Sequence, residues 1–392
     1  MRQVARVRQV KEGEARLAMD QKPLTGLRVL DLTQIVAGPY CSMMLADAGA
    51  EVIKVEPPAG EPVRAQGLIR YDQGEPISAY FLTVNRGKRS IVLDLKSEAG
   101  REEFTSLLKD TDVLLENFRK GTMERFGFGY DSVHELNPHV MYASIRAYSD
   151  DDEVRSTWGG LAVVAEGEGG IASYCVDRDG RPIWFGFPLA DYVVGLTAYG
   201  AITTALAGNG GRPNGQLISV SMLQAVLSIN AWISSYEMNG NEGVTLAQAT
   251  TPYGYYQAKD GFITVGVTRD KHWVSLCDIV GRVDLAIDPR YKEASDRNQR
   301  PEEVREILET WSCLRTRDEC VTALNEFGVP CGRVNTPSDL LDSDELSRSG
   351  YLIDVDDGSG RSIRLPANPM GYLPSNPRVH RLNEDNGARF TP

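Results

Sequence analysis

The stretch GRPIWFGFPLADYVVGLTAYGAITTAL (180–206) holds one acidic side chain, Asp191, between an aromatic run and a long small-residue segment. An aspartate in that position has two physical uses. As the N-cap of a helix beginning at Tyr192 it would accept hydrogen bonds from free backbone N–H groups. As a carboxylate kept ionised and fixed by the same helix end it would serve as a nucleophile. The two uses are compatible, because the helix end that is capped is also the one that anchors the charge.

A second set of residues is basic. NRGKRS (85–90) places Arg86, Lys88 and Arg89 in a turn before a strand, and ENFRKGTMERFGFGYD (116–131) adds Asn117, Arg119, Lys120 and Arg125 around the end of another. Such loops beyond the carboxyl ends of parallel strands suit phosphate groups, with Phe118 available to stack on a purine; the same clusters also suit a solvated face. No Walker motif and no GxGxxG fingerprint specifies ATP or NAD. AEGEGG (165–170) reads as a glycine turn, either a flexible wall over a ligand or a plain surface turn.

The elements that would position these residues alternate. GLRVLDLT (26–33), EVIKVEPPAG (51–60), RSIVLDL (89–95), DVLLENF (112–118) and VMYASIR (140–146) read as strands, with helices over 39–50 and 97–111. That rhythm argues an α/β core with a largely parallel sheet. A helix follows over 191–207, then a strand and a long helix over 215–237. The texture changes past Thr250: YGYYQAKDGFITVGV (253–267) reads as two antiparallel strands joined through a Lys-Asp-Gly turn, and helical periodicity then occupies 271–281 and 301–328. The reading divides 392 residues into a first part of a large domain (24–229), a smaller α+β domain (230–335), and a C-terminal return to the large domain (336–392).

Composition narrows the partners. The formal charge of −12 disfavours nonspecific binding to nucleic acid or an anionic membrane. Six dispersed cysteines without a CxxC pair and four scattered histidines propose no metal site and no disulfide framework. With no signal-peptide core and no uncharged apolar run of membrane-spanning length, a cytoplasmic location is expected. Residues 1–22 are assigned no function.

Taken together, GLRVLDLTQIVAGPYCSMMLADAGAEVIKVEPPAGEPVR (26–64), NRGKRSIVLDLKSEAGR, LLENFRKGTMERFGFGYDSVHELNPHVMYASI, PLAD, GRPNGQLISVSMLQAVL (211–227), YQAKDGFITVGV and LNEFGVPCGRVNT (324–336) resemble the class III CoA-transferases of the formyl-CoA transferase/CaiB–BaiF type. The resemblance spans roughly residues 24–370 in family order. It implies an α/β fold with a parallel-sheet large domain and a smaller α+β domain, in an interlinked ring-like dimer. It implies coenzyme A as substrate, no metal, and contacts to CoA at Gln34, Val36, Arg86, Lys88, Asn117, Phe118 and Arg125, with Arg119 as a further candidate. It implies Asp191 as a nucleophile that passes through an acyl anhydride and an aspartyl-CoA thioester.

Departures qualify that expectation. The acidic residue that many relatives carry before the glycine turn falls here at Leu161 or Ala162, leaving Glu166, Glu168, Gly169 and Gly170 as candidates to face the substrate. Two alternatives follow: a CoA-binding partner subunit of a heteromeric transferase, and an acyl-CoA racemase. The racemase needs two placed bases, yet no histidine occurs between His139 and His272.

Overall fold

The computed structural model describes residues 22–69, 76–177, 179–230, 238–240, 250–372 and 377–391. Residues 1–21, and the part of the predicted 215–237 helix beyond Asn230, lie outside the described residues. The chain forms two compact units, one running to Asn230 and resuming at Glu345, the other ending at Asp344.

The first unit is built on a six-stranded sheet. Its strands are β1 (Arg28–Asp31), β2 (Glu51–Glu56), β5 (Arg89–Val92), β6 (Val113–Glu116), β7 (Met141–Arg146) and β8 (Gln216–Ser221), in the order β5-β2-β1-β6-β7-β8. Every neighbouring pair is parallel. A short antiparallel pair, β3 (Leu68–Ile69) and β4 (Ile77–Ser78), lies outside it.

Side chains alternate across the sheet, which explains the near-continuous apolar strands. Val29, Val52, Val113, Leu115 and Ala143 join one core with α1 (Ala37–Asp47), whereas Leu30, Ile53, Leu114 and Tyr142 join the other with Phe104, Leu107 and Val133. Those last three belong to α3 (Glu98–Leu108) and α5 (Tyr130–Leu136); α2 (Ala79–Asn85) and α4 (Thr122–Phe126) fill the intervening connections. Helices start where short polar residues cap them: Ser97 accepts from Gly100 N–H, and Ser78 from Phe81 N–H.

Among the described residues, α6 (Ala162–Glu168), α7 (Leu189–Gly208) and α8 (Met222–Ile229) follow β7 before the second unit begins. By length and composition α7 could cross a membrane, a feature the charge-based reading of the sequence did not register. Its apolar character has a simpler use here, since Ala190, Val194, Ala198, Ile202 and Leu206 are buried in the core shared with α1. Gly195 permits the approach: a Cβ there would lie 2.6 Å from the Ala37 carbonyl oxygen.

The second unit has a three-stranded antiparallel sheet of β9 (Tyr253–Ala258), β10 (Gly261–Gly266) and β11 (Cys331–Arg333) in the order β11-β10-β9. Trp273, Leu276, Val304, Leu308 and Leu324 from its helices form the core. The apolar periodicity over 301–328 is two helices rather than one, because Thr316 and Glu319 form a capping box that restarts the chain. In the first unit, β12 (Leu352–Asp356) pairs antiparallel with β13 (Ser362–Pro366), and Asp385 accepts from Ser90 N–H at 3.0 Å.

Candidate active site

The strand order reverses between β1 and β6, and in open parallel sheets the crevice beyond such a reversal is the usual ligand site. The loops leaving these two strands are stapled together there. Gln34 N–H donates to Asn117 Oδ1 at 2.9 Å, and Asn117 Nδ2 donates back to the Gln34 carbonyl at 2.8 Å. The next residue, Ile35, has φ +70°, a left-handed conformation that a β-branched side chain adopts only under constraint. Glu61 supplies that constraint by accepting the Ile35 N–H at 2.6 Å. Held strain of this kind, worth about 1–3 kcal/mol, gathers at functional sites.

Cavities surround this staple. One of about 130 Å³ is bounded by Gln34, Pro57, Pro58, Leu95, Lys96 and Phe118. A second of about 450 Å³ is bounded by Asn117, Phe118, Arg119, Lys120, Arg146 and Trp158 among others. Phe118 bounds both, with Gln34 on the smaller cavity and Asn117 and Arg119 on the larger. Lys96, whose ammonium is exposed, was missed from the sequence because a single lysine at a strand end carries no motif.

The other predicted CoA residues are placed differently. Arg86 is 2% exposed and its guanidinium is held by Asp47 through both Nε and Nη2, at 3.2 and 2.8 Å. Lys88, also buried, donates to Asp31 Oδ2, Asn85 Oδ1 and the Pro39 carbonyl. Burial alone would push the Asp31 carboxyl up, but Lys88, Lys54 and the hydroxyls of Ser42 and Thr33 hold it down at about 2. These two cations brace α1 against β1 and α2 instead of facing the crevice. Val36 is buried at the N-cap of α1, and Arg125 is exposed on α4 with Nη2 on Thr122 Oγ1 at 2.9 Å.

A third cavity, of about 310 Å³, adjoins the strained loop. It is bounded by Ile35, Val63, Tyr80, Leu161, Trp184 and Asp191, with Pro62, Gln66, Ala162, Val163 and Pro188. The helix bearing Asp191 starts at Leu189, with Pro188 at the N-cap position, so Asp191 lies inside the first turn and caps nothing. The expected cap is thereby corrected: Pro188 supplies no side-chain acceptor, and α7 begins before the aspartate. Its carboxyl is pushed up to about 7, by burial first and then by the charge of Glu166. Burial and the like charge of Glu166 thus oppose the ionised form that the helix end was expected to favour.

Of the two glutamates expected near the substrate, Glu166 is the one whose charge bears on Asp191. Of the stretch read as a glycine turn, only Gly169 and Gly170 form a turn, and residues 165–168 close α6. From there Glu166, 1% exposed, accepts the Ala190 N–H and the Trp184 Nε1–H, each at 3.1 Å. Glu168 turns the other way, to the Tyr148 hydroxyl at 2.9 Å and Arg155 at 3.0 Å. Gly169 is a close-packing residue rather than a flexible wall, since a Cβ would come within 2.3 Å of Val226 Cγ1; Gly170 follows with φ +82°. Phe185 and Phe187 pack on each other, with ring centroids 5.5 Å apart, while Trp184, like Tyr80, bounds the Asp191 cavity. Among the described residues no group of three His, Cys, Asp or Glu side chains is placed to hold a metal ion.

A doubly faced parallel sheet with its crevice at the reversal point, and a carboxylate nucleophile candidate beside it, define an α/β group-transfer enzyme. The chain belongs to CoA-transferase family III, whose model matches residues 24–386. It is similar to the acyl-CoA transferase of Fusarium pseudograminearum, at 34% identity over 349 residues, covering 86% of this chain and 75% of that one. It is 33% identical over 356 residues to the succinyl-CoA:mesaconate CoA-transferase of Haloarcula hispanica, covering 88% and 89%. Among solved structures, a CAIB/BAIF family protein from Brucella suis superposes with a TM-score of 0.81 at 30% identity, covering 93% of this chain and 97% of that one. The enzyme is a class III CoA-transferase.

Proposed function

We propose that Asp191 is the nucleophile through which this enzyme moves coenzyme A from an acyl-CoA thioester to a carboxylic acid. The observation that carries the assignment is a buried carboxylate free of hydrogen bonds from described side chains, on the wall of a cavity that Ile35 of the strained loop also bounds. An Asp191 oxygen attacks the thioester carbonyl, the C–S bond breaks, and the electron pair leaves on the CoA thiolate. The thiolate then attacks the aspartyl carbonyl of the mixed anhydride, releasing the donor carboxylate and leaving an aspartyl-CoA thioester. The acceptor carboxylate repeats the two steps in reverse order and restores Asp191.

CoA itself lies in the crevice of Gln34, Asn117 and Phe118, with Lys96 and Arg119 toward its phosphates. Support comes from continuity: Phe118 bounds two of the cavities, and Leu161 bounds both the 450 Å³ and the 310 Å³ ones. Arg86, Lys88 and Val36 then act from beneath by fixing the loop. Among the described residues no histidine lines the Asp191 cavity, so the two-base racemase reading gains no support. A second copy of the chain is the partner that suits the exposed apolar side chains Val163, Leu196, Leu227 and Ile229 on α6, α7 and α8.

Incubating the purified protein with an acyl-CoA, trapping with hydroxylamine and locating the modified residue by mass spectrometry tests the assignment. Conversion of Asp191 to its hydroxamate is the expected result. Exchange with the modification on another residue would reject it.

A further inference from the structure

Every backbone polar group from the Thr33 N–H to the Ile35 N–H is held by a side chain. Thr33 N–H donates to Asp31 Oδ1 at 2.8 Å, and the Thr33 carbonyl accepts from Lys54 Nζ at 2.7 Å. Asn117 takes both backbone groups of Gln34, and Glu61 takes the Ile35 N–H. Asp31, Lys54 and Glu61 are buried, so these contacts lie beneath the loop and within one chain. Such over-determination is what a left-handed Ile35 requires.

The strain has one local way out. Turning the Gln34–Ile35 peptide over, the change that interconverts type I and type II turns, would carry Ile35 from positive to negative φ. The Gln34 carbonyl and the Ile35 N–H are the two edges of that peptide, held by Asn117 Nδ2 and Glu61 Oε1. Glu61 is anchored in turn. Its own N–H donates to Glu56 Oε2 at 3.0 Å, and Arg64 grips Glu56 through Nε and Nη2 at 2.7 and 2.6 Å.

This bond ties together two segments that share two cavities. Gln34 and Pro58 bound the 130 Å³ cavity, whereas Ile35 and Val63 bound the 310 Å³ one beside Asp191. Glu61 bounds neither, so it acts on a ligand only through the loop.

Resting on the placement of CoA above, we infer that Glu61 is a positioning residue for coenzyme A: it fixes the Gln34–Ile35 peptide in the orientation that forms the crevice before the thioester arrives. A peptide turned over withdraws the Gln34 carbonyl from Asn117 and undoes the staple. Without Glu61 the relaxed loop predominates, and CoA binds only the fraction that has turned back. The apparent affinity falls by that fraction.

Calorimetric titration of the full-length protein with CoA, beside thermal scans, tests the assignment. Glu61→Ala should raise the Kd for CoA about tenfold or more, the scale of the strain that the bond restrains. Its melting temperature should stay within about 3 °C of the parent or exceed it, because the lost contact is offset by released strain. Glu61→Gln, which keeps an acceptor oxygen for the Ile35 N–H, should return the Kd to within about threefold of the parent. Glycine adopts positive φ about as readily as negative, so in an Ile35→Gly background the same Glu61→Ala change should cost only about twofold to threefold.

A merely structural glutamate would lower the melting temperature and act alike in both backgrounds. An unchanged Kd in E61A, an equal loss in the two backgrounds, or an E61A protein that fails to fold overturns the inference. Lys96→Ala and Arg119→Ala separate this from failure of the CoA placement. If they raise the Kd while E61A does not, only the role of Glu61 falls; if none of the three changes it, the placement falls as well.

Discussion

Glu166 and Asp191 are joined through one backbone amide: Glu166 Oε1 accepts the Ala190 N–H at 3.1 Å, so the carboxylate anchoring the first turn of α7 also raises the carboxyl one residue further on. Glu166 therefore both anchors the backbone beside Asp191 and adds to the burial that raises its carboxyl. Trp184, on the other oxygen of Glu166, extends this arrangement to the cavity wall.

Asp191→Asn should lower exchange by roughly 10⁴-fold or more, the scale expected when a covalent nucleophile is removed. Binding of CoA, measured by calorimetry, should change by less than about threefold, since the crevice of Gln34, Asn117 and Phe118 is separate from the mutated carboxyl. Near-normal turnover in a freshly purified sample would contradict the role.

The ionised form of Asp191 is the reactive one, so kcat/KM should rise with pH through about 7. Glu166→Gln keeps an oxygen for the Ala190 N–H but removes the like charge, and the limb should move to lower pH. Burial, the larger cause, remains, so the limb should stay above the ordinary aspartate range. A pH–rate profile that does not shift in E166Q would show that the two groups are uncoupled.

The same raised carboxyl carries a stability consequence. Because the folded state holds the Asp191 proton to higher pH than the unfolded chain does, its effect on stability declines as pH rises from about 4 to about 7. D191N should therefore be more stable than the parent at pH 8, by on the order of 2–4 kcal/mol, and should show little gain at pH 4. Urea titrations at the two pH values check the sign.

Arg86 and Lys96 should separate by phenotype. Arg86→Ala leaves Asp47 buried with a broken ion pair, a loss of about 3–5 kcal/mol in stability. Lys96→Ala and Arg119→Ala should leave the melting temperature within about 2 °C, yet raise the Kd for CoA several-fold and flatten its salt dependence. Thermal scans and CoA titrations at two ionic strengths distinguish the classes, and a K96A protein with unchanged affinity would remove Lys96 from the site.

Gly169→Ala tests how tightly the end of α6 must pack. The added Cβ would stand 2.3 Å from Val226 Cγ1 and 2.7 Å from the Ala165 carbonyl oxygen. Relief requires α6 or α8 to shift, at a cost of about 1–3 kcal/mol, and any shift of α6 moves Glu166. Activity should fall at least about tenfold; a fully active, equally stable G169A protein would show the contact to be slack.

Local patterns in the chain determined much of this protein. Alternating β-branched runs specified the strands of a parallel sheet, the Lys-Asp-Gly turn between Tyr253 and Gly266 marked an antiparallel pair, and the phrases around 26–64 and 116–131 carried the family. Those signals are short-range, set by backbone propensity and by spacing along one segment. Partnership between distant segments is not written that way. Arg86 and Lys88 read as free cations because their carboxylates, Asp47 and Asp31, lie on a helix and strand far away in sequence. Asp191 read as a helix cap because only packing shows that α7 starts at Leu189, and Glu166 read as part of a turn because its partners, Ala190 and Trp184, meet it only after α6 docks on α7. Burial sets which charges are paired and which carboxyl holds its proton, and burial is a property of the folded chain alone.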